Sequence, residues 1–177
     1  ELIVDERYEQ QIIERLYSDE PKSGLCELSM IGHSHLDTAW LWKISQTKRK
    51  FVETVSTAVR LINLHPEYKF MMSSMLHFDW LKEDYPDLFK EVLRLEKEGK
   101  FEINGGTYVE CECNMTGSES LVRQFLKGQR WMMENTNHYG DCFFLPDTFG
   151  YSPAIPQIMK QAKTDYFLTT KIRWNDT

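Results

Sequence analysis

Ile31-Gly32-His33-Ser34-His35-Leu36-Asp37-Thr38-Ala39-Trp40 decides how the rest of the chain is read. It follows a short apolar run, Leu28 to Ile31, with the length and content of a buried strand, and it precedes a long helical pattern. Two imidazoles and a carboxylate therefore sit where a strand hands over to a loop. Side chains at alternate positions of an extended segment point the same way, so His33, His35 and Asp37 can converge. Imidazole with carboxylate is a common ligand mix for zinc. A polar turn with Asp37 as a cap and solvated histidines is the plainer reading, and this stretch alone does not separate the two.

Outward from it, the chain alternates strand and helix. A helix from about 43 to 63 places Phe51, Val55, Ala58, Val59 and Ile62 on one stripe. Strands are predicted over 27–31, 68–72, 101–103, 142–145 and 166–168. Helices are predicted over 4–17 and 76–83, from Pro86 to Gly99, over 119–135, and from Pro153 or Pro156 through Ala162. The helix opened by Pro86 turns Leu88, Val92, Leu93 and Leu95 inward. Ser118 caps the next, whose inward set is Val122, Phe125, Leu126 and Met132 or Met133. Cys142 to Leu145 is apolar throughout, as in a strand covered on both faces. Tyr108 to Glu112 alternates, with acids at Glu110 and Glu112.

Such alternation implies an α/β fold, a mostly parallel sheet with covering helices, open or barrel-like. Ligand sites in these folds lie at the carboxyl ends of the strands. Here those ends carry His33, His35 and Asp37, then Ser73 and Ser74, Gly105 and Gly106 with Glu110, then Asp147, and finally Lys171. Asp147 follows the fully apolar strand directly, between Pro146 and a Thr-Phe-Gly turn. It either caps that turn or is a carboxylate held where the first-strand ligands can meet it. A four-coordinate site from His35, Asp37 and Asp147 needs one more protein ligand or an open position for substrate, and zinc or another divalent ion suits it.

Composition narrows the partners. The formal charge of -6 over 177 residues argues against nucleic acid, whose binding needs clustered Lys and Arg. Lys48-Arg49-Lys50 falls in a helical pattern and reads as a solvated face. No apolar run reaches membrane-spanning length. Four cysteines without a framework spacing suit a reducing compartment, so a cytoplasmic location is expected, although a removed targeting segment would leave no trace in a chain that opens on Glu1.

His-Ser-His-Leu-Asp-Thr-Ala-Trp, Asn-Gly-Gly-Thr-Tyr-Val-Glu from Asn104, and Leu-Pro-Asp-Thr-Phe-Gly-Tyr-Ser from Leu145 together resemble the motifs of the retaining α-mannosidases of glycoside hydrolase family 38. The pattern is nearest the cytosolic or vacuolar branch and the bacterial enzymes. The resemblance implies that 25–177 belong to an amino-terminal catalytic domain, part of a seven-stranded α/β barrel and incomplete here, with 1–24 as a helical lead-in. It implies that His35 and Asp37 ligate zinc and that Asp147 both ligates it and serves as catalytic nucleophile. Trp40 and Phe149 match aromatic residues lining the sugar pocket, and Lys171 loosely matches a basic residue beside the catalytic carboxylate. His33 is not a ligand in the family pattern, which leaves it a structural or supporting role. Cys111 and Cys113 match nothing assignable.

A retaining glycosidase needs an attacking carboxylate and a second carboxyl group that protonates the leaving oxygen, about 5 Å apart. In the resemblance the acid/base aspartate and a fourth, histidine ligand lie beyond Thr177. Glu110 and Asp176 are acids of the right type, and nothing in the sequence promotes either. The implied substrate is a mannose-containing oligosaccharide, and family members often assemble through regions outside this stretch, which leaves a homo-oligomer open for the full-length protein without fixing the oligomeric state. Two other readings use the same residues: a metal-dependent polysaccharide deacetylase, in which the ion activates water, and a non-catalytic carbohydrate-binding module.

Overall fold

A computed structural model describes residues 28–172. The expected lead-in over 1–24, with its helix, lies outside the described residues, as do Cys26 and Asp176. The elements are β1 (Gly32–His33), α1 (Ile44–Leu64), β2 (Phe70–Met72), α2 (Met75–Asp84), α3 (Pro86–Lys97), β3 (Phe101–Ile103), α4 (Ser118–Thr136), β4 (Cys142–Leu145), α5 (Ile155–Gln161) and β5 (Tyr166–Thr169).

The strands run parallel in sequence order. β1, β2 and β3 form one sheet, with Gly32 opposite Phe70 and Phe70 opposite Phe101. β4 and β5 form a second, with Cys142 opposite Tyr166. A single bridge between Gly105 and Phe143 links the end of the first sheet to the second. The fold is thus α/β with parallel strands and intervening helices. The described residues hold five strands in two short sheets and do not form a seven-stranded barrel.

One core gathers the α1 stripe (Phe51, Val55, Ala58, Val59, Ile62) against Phe70, Met72, Phe78, Phe89, Val92, Leu95, Phe101 and Trp131. This is the expected α1 face, and burying each of its larger side chains, Phe51, Val55, Val59 and Ile62, stabilises by roughly 1.5–3 kcal/mol. A second cluster packs Leu121, Phe125, Phe143, Leu145, Ile155 and Met159 with Cys111 and Cys113. The two cysteines are therefore apolar filler behind the strand ends.

Three expectations are corrected. The run Leu28–Ile31 is not a strand: Leu28 and Met30 are more than four-fifths exposed. Pairing begins at Gly32, whose N–H donates to the Lys69 carbonyl, because β2 is only three residues long and offers nothing earlier to pair with. In α4 the inward residues are Leu121, Phe125, Gly128, Gln129, Trp131 and Met132, while Val122 and Leu126 face solvent. Those two stand one position, about 100° of rotation, off the buried stripe. In α3, Phe89 is buried and Leu88 and Leu93 only border the core.

The basic run sits on the outer face of α1, as expected: Lys48 pairs with Asp84 at 2.9 Å and Arg49 with Glu53 at 3.8 Å. No helix among the described residues is long and apolar enough to cross a membrane.

Candidate functional site

The loop after β1 is fixed by one buried side chain. Thr47, in the first turns of α1, donates its hydroxyl to the carbonyls of Thr38 (2.9 Å) and Asp37 (3.3 Å) and accepts the Trp42 indole N–H (2.9 Å). Thr38 also bonds His77 of α2, with 2.9 Å between its hydroxyl and Nε2. His77 is buried against Phe51 and Trp80, and burial, followed by the charge of His35, pushes its pKa down to about 4.

The turn after β4 is held as firmly. The Tyr151 hydroxyl reaches the carbonyls of Leu145 (3.2 Å) and Thr148 (2.8 Å) and the Thr169 hydroxyl at the end of β5. The Thr170 hydroxyl donates to the Pro146 carbonyl at 2.6 Å. Asp147 is thereby mounted between the ends of two paired strands.

These mounts bring His35, Asp37 and Asp147 together. One ligand atom from each lies within 4.8 Å of the others. His35 Nε2 is 3.4 Å from Asp37 Oδ1 and 3.7 Å from Asp147 Oδ2, too far for good hydrogen bonds. Ligand atoms about 2.1 Å from a tetrahedral ion would stand about 3.4 Å apart, close to the two separations from His35 Nε2. Both ring nitrogens of His35 are buried without a well-formed hydrogen bond: Nδ1 faces Glu110 Oε2, itself otherwise unpartnered, at 2.7 Å, and Nε2 faces the two aspartates, the condition of an imidazole nitrogen open to a ligand. Without an ion, the close approach of Glu110, opposed by burial and reinforced by the charges of Glu110, Asp37 and Asp147, pushes the His35 pKa up to about 9. The site is built to hold positive charge. The donor set fits a divalent cation, and its oxygen-rich composition admits zinc without selecting it.

Lys171 Nζ pairs with Asp147 Oδ1 at 2.8 Å and lies 5.0 Å from the centre of the Phe149 ring. Phe149 is 74% exposed. Trp40 is 64% exposed and meets Trp42 edge-on, with 5.3 Å between ring centres. His33 faces β4 and packs edge-on to Phe144 at 4.6 Å, and burial lowers its pKa. Sequence reasoning placed Glu110 at a strand end but gave it no role; its Oε2 lies 2.7 Å from His35 Nδ1. The signal was there, a glutamate four residues beyond a strand-end Gly-Gly turn, but nothing local separated it from Glu112.

Parallel strands with a carboxylate–imidazole cluster at their carboxyl ends define an α/β domain with a cation-ready site. The chain belongs to glycosyl hydrolase family 38: the model of that family's N-terminal domain matches residues 26–177. It is 40% identical over 163 residues to an alpha-mannosidase of Saccharomyces cerevisiae, an alignment covering 92% of this chain and 15% of that protein. It is 41% identical over 144 residues to human alpha-mannosidase 2C1, covering 81% of this chain and 14% of that one. Among solved structures, an alpha-mannosidase from Enterococcus faecalis superposes with a TM-score of 0.72 at 26% identity, over 78% of this chain and 16% of that one. A 4-alpha-glucanotransferase from Thermococcus litoralis shares the fold, with a TM-score of 0.58 at 17% identity. The chain thus spans about one-seventh of the length of the relatives it matches.

Proposed function

We propose that this domain carries metal ligands and the nucleophile of a retaining, metal-dependent α-mannosidase that removes terminal α-D-mannosyl residues from an oligosaccharide. The observation that supports it most is the convergence of His35, Asp37 and Asp147 in a chain of this family. A divalent ion held by those three, most simply Zn2+, would supply Lewis acidity toward the hydroxyls of the sugar.

Asp147 is the nucleophile in this reading. Its oxygen bonds to the anomeric carbon as the glycosidic bond breaks, giving a covalent mannosyl–aspartate that water then hydrolyses. Lys171, paired with Oδ1 at 2.8 Å, fixes the plane of that carboxylate. The leaving oxygen takes its proton from a carboxylic acid that the resemblance puts beyond Thr177. Trp40 and Phe149, 64% and 74% exposed, supply aromatic surface for the sugar. The five parallel strands are read as the first of seven in a closed barrel, with 1–24 leading into it. Cytoplasmic location and homo-oligomerisation of the whole protein belong to the same proposal, supported by the resemblance. The net charge of -6 supports a partner that is not nucleic acid.

The test is covalent trapping in the full-length protein. A fluorinated mannoside that slows the second step should leave one adduct, mapped by peptide mass to Asp147. Turnover of an α-mannoside with no adduct, or an adduct on another residue, would overturn the assignment. Release of acetate from an acetylated glycan, again without adduct, would favour the deacetylase.

A further inference from the structure

We propose that Glu110 is the positioning residue of His35: its carboxylate accepts from Nδ1–H, holds the imidazole in the tautomer whose Nε2 lone pair faces Asp37 and Asp147, and thereby sets the affinity of the site for its cation. The inference rests on the metal-site reading above and concerns a residue that touches no substrate in it. A carboxylate on the far nitrogen of a ligating histidine both orients the ring and makes it a stronger donor.

Glu110 is built into its place. Its side chain is 11% exposed, and Oε2 lies 2.7 Å from His35 Nδ1. The Ser73 hydroxyl donates to the other oxygen, Oε1, at 2.5 Å. The Ser74 hydroxyl accepts the Glu110 N–H at 3.2 Å. Both serines are 3% exposed and directly follow β2. Ser74 adopts a left-handed backbone, φ 69°, an uncommon cost for a side chain that is not glycine. Gly105 makes room opposite: its φ is 120°, and a Cβ there would stand 3.0 Å from Ser73 Cβ. The approach to Glu110 is pinned as well. Tyr108 N–H donates to the Gln124 carbonyl (3.0 Å), and Val109 N–H to Gln124 Oε1 (3.1 Å).

Glu112 provides the contrast within the same acidic alternation. It accepts the N–H groups of Asn114 (2.9 Å) and Met115 (2.5 Å), closing its own turn. One acid shapes a loop; the other reaches a ligand through two serines 36 and 37 residues away in sequence.

The test measures zinc affinity of metal-free full-length protein by competition with a chromogenic chelator, beside the melting temperature of the metal-free form. Glu110→Gln keeps size and an acceptor but loses the charge, and should weaken zinc about 10-fold; Glu110→Ala should approach about 100-fold. Ser73→Ala, which frees the carboxylate to rotate but keeps it, should weaken zinc by less than either Glu110 variant. Metal-free Glu110→Gln should melt close to wild type, which sets the affinity loss apart from misfolding. Wild-type zinc affinity in both Glu110 variants would overturn the proposal while leaving the metal site standing. A Glu110→Gln loss no larger than its unfolded fraction accounts for would also overturn it. A wild-type protein that takes up no zinc, while folded, would remove the metal reading itself.

Discussion

Replacing Thr47 with Val keeps the volume of a fully buried side chain and removes only its hydroxyl. Three interactions disappear: the bonds to the Thr38 and Asp37 carbonyls and the Trp42 indole N–H bond. A buried polar group left without a partner costs about 1–3 kcal/mol. Thr38 and Trp42 are half-buried, so water recovers part of this for each. The expected destabilisation is about 2 kcal/mol, at the lower end of what three lost bonds would give. The larger consequence falls on Asp37, whose carbonyl and the next residue's are the points where the loop is tied to α1. Loosening it should weaken zinc and lower kcat/KM about 10-fold or more, since small misplacements of positioned groups are costly. Thr47→Ser retains the hydroxyl and should restore most of both. The assay is paired: chelator competition for zinc, and steady-state hydrolysis of an aryl α-mannoside by the full-length enzyme. If Thr47→Val matches wild type in both, the loop is not held through α1 and the reasoning fails.

Other outcomes follow from the same contacts. Lys171→Met leaves one oxygen of Asp147 without its charged donor, and kcat/KM should drop about 10- to 100-fold, the usual worth of a charge-assisted bond; unchanged hydrolysis would dissociate Lys171 from the nucleophile. His77 titrates near 6.5 in the unfolded chain but only near 4 when folded, so the unfolded state binds more protons between those values. Its contribution is intact above about pH 6.5 and is lost as pH falls toward 4, by roughly 3 kcal/mol in all; His77→Phe should flatten that part of the denaturation profile, and an unaltered profile would contradict the assignment. Gly128→Ala gains about 1 kcal/mol of helix propensity, but its Cβ would lie 2.5 Å from the Thr107 carbonyl carbon and 2.8 Å from Tyr108 N. Backbone does not yield, so the net should be a loss of about 1–3 kcal/mol in urea denaturation; a more stable variant would show that α4 can shift.

The elements that could be read from sequence are those whose local pattern already contains their environment. β4 is apolar at every position because it is covered on both faces, and Phe143 and Leu145 are fully buried. The α1 stripe repeats at helical spacing and packs as expected. The first strand was misplaced because strand formation needs a partner, and the shortness of β2 is not visible in the Leu28–Ile31 run. The face of α4 was misjudged because Gly128 and Gln129 point inward for reasons hydropathy does not register. Gly128 allows close backbone approach, and Gln129 bonds the Gly140 backbone at both ends of its amide (2.7 and 2.9 Å). In the site, His35, Asp37 and Asp147 stood out because they lie in the loops just past the carboxyl ends of β1 and β4, the binding face of such folds. Glu110 did not, since its meaning lies in Ser73 and Ser74, on another strand end.

The central claim is that one cation sits among three named side chains. Diffraction from zinc-loaded crystals of the full-length protein, recorded across the zinc absorption edge, tests it most directly. The account predicts one strong anomalous peak within about 2.0–2.2 Å of His35 Nε2 and of a carboxylate oxygen from Asp37 and from Asp147. A peak elsewhere, or none at those three residues at full zinc occupancy of the protein, would contradict it.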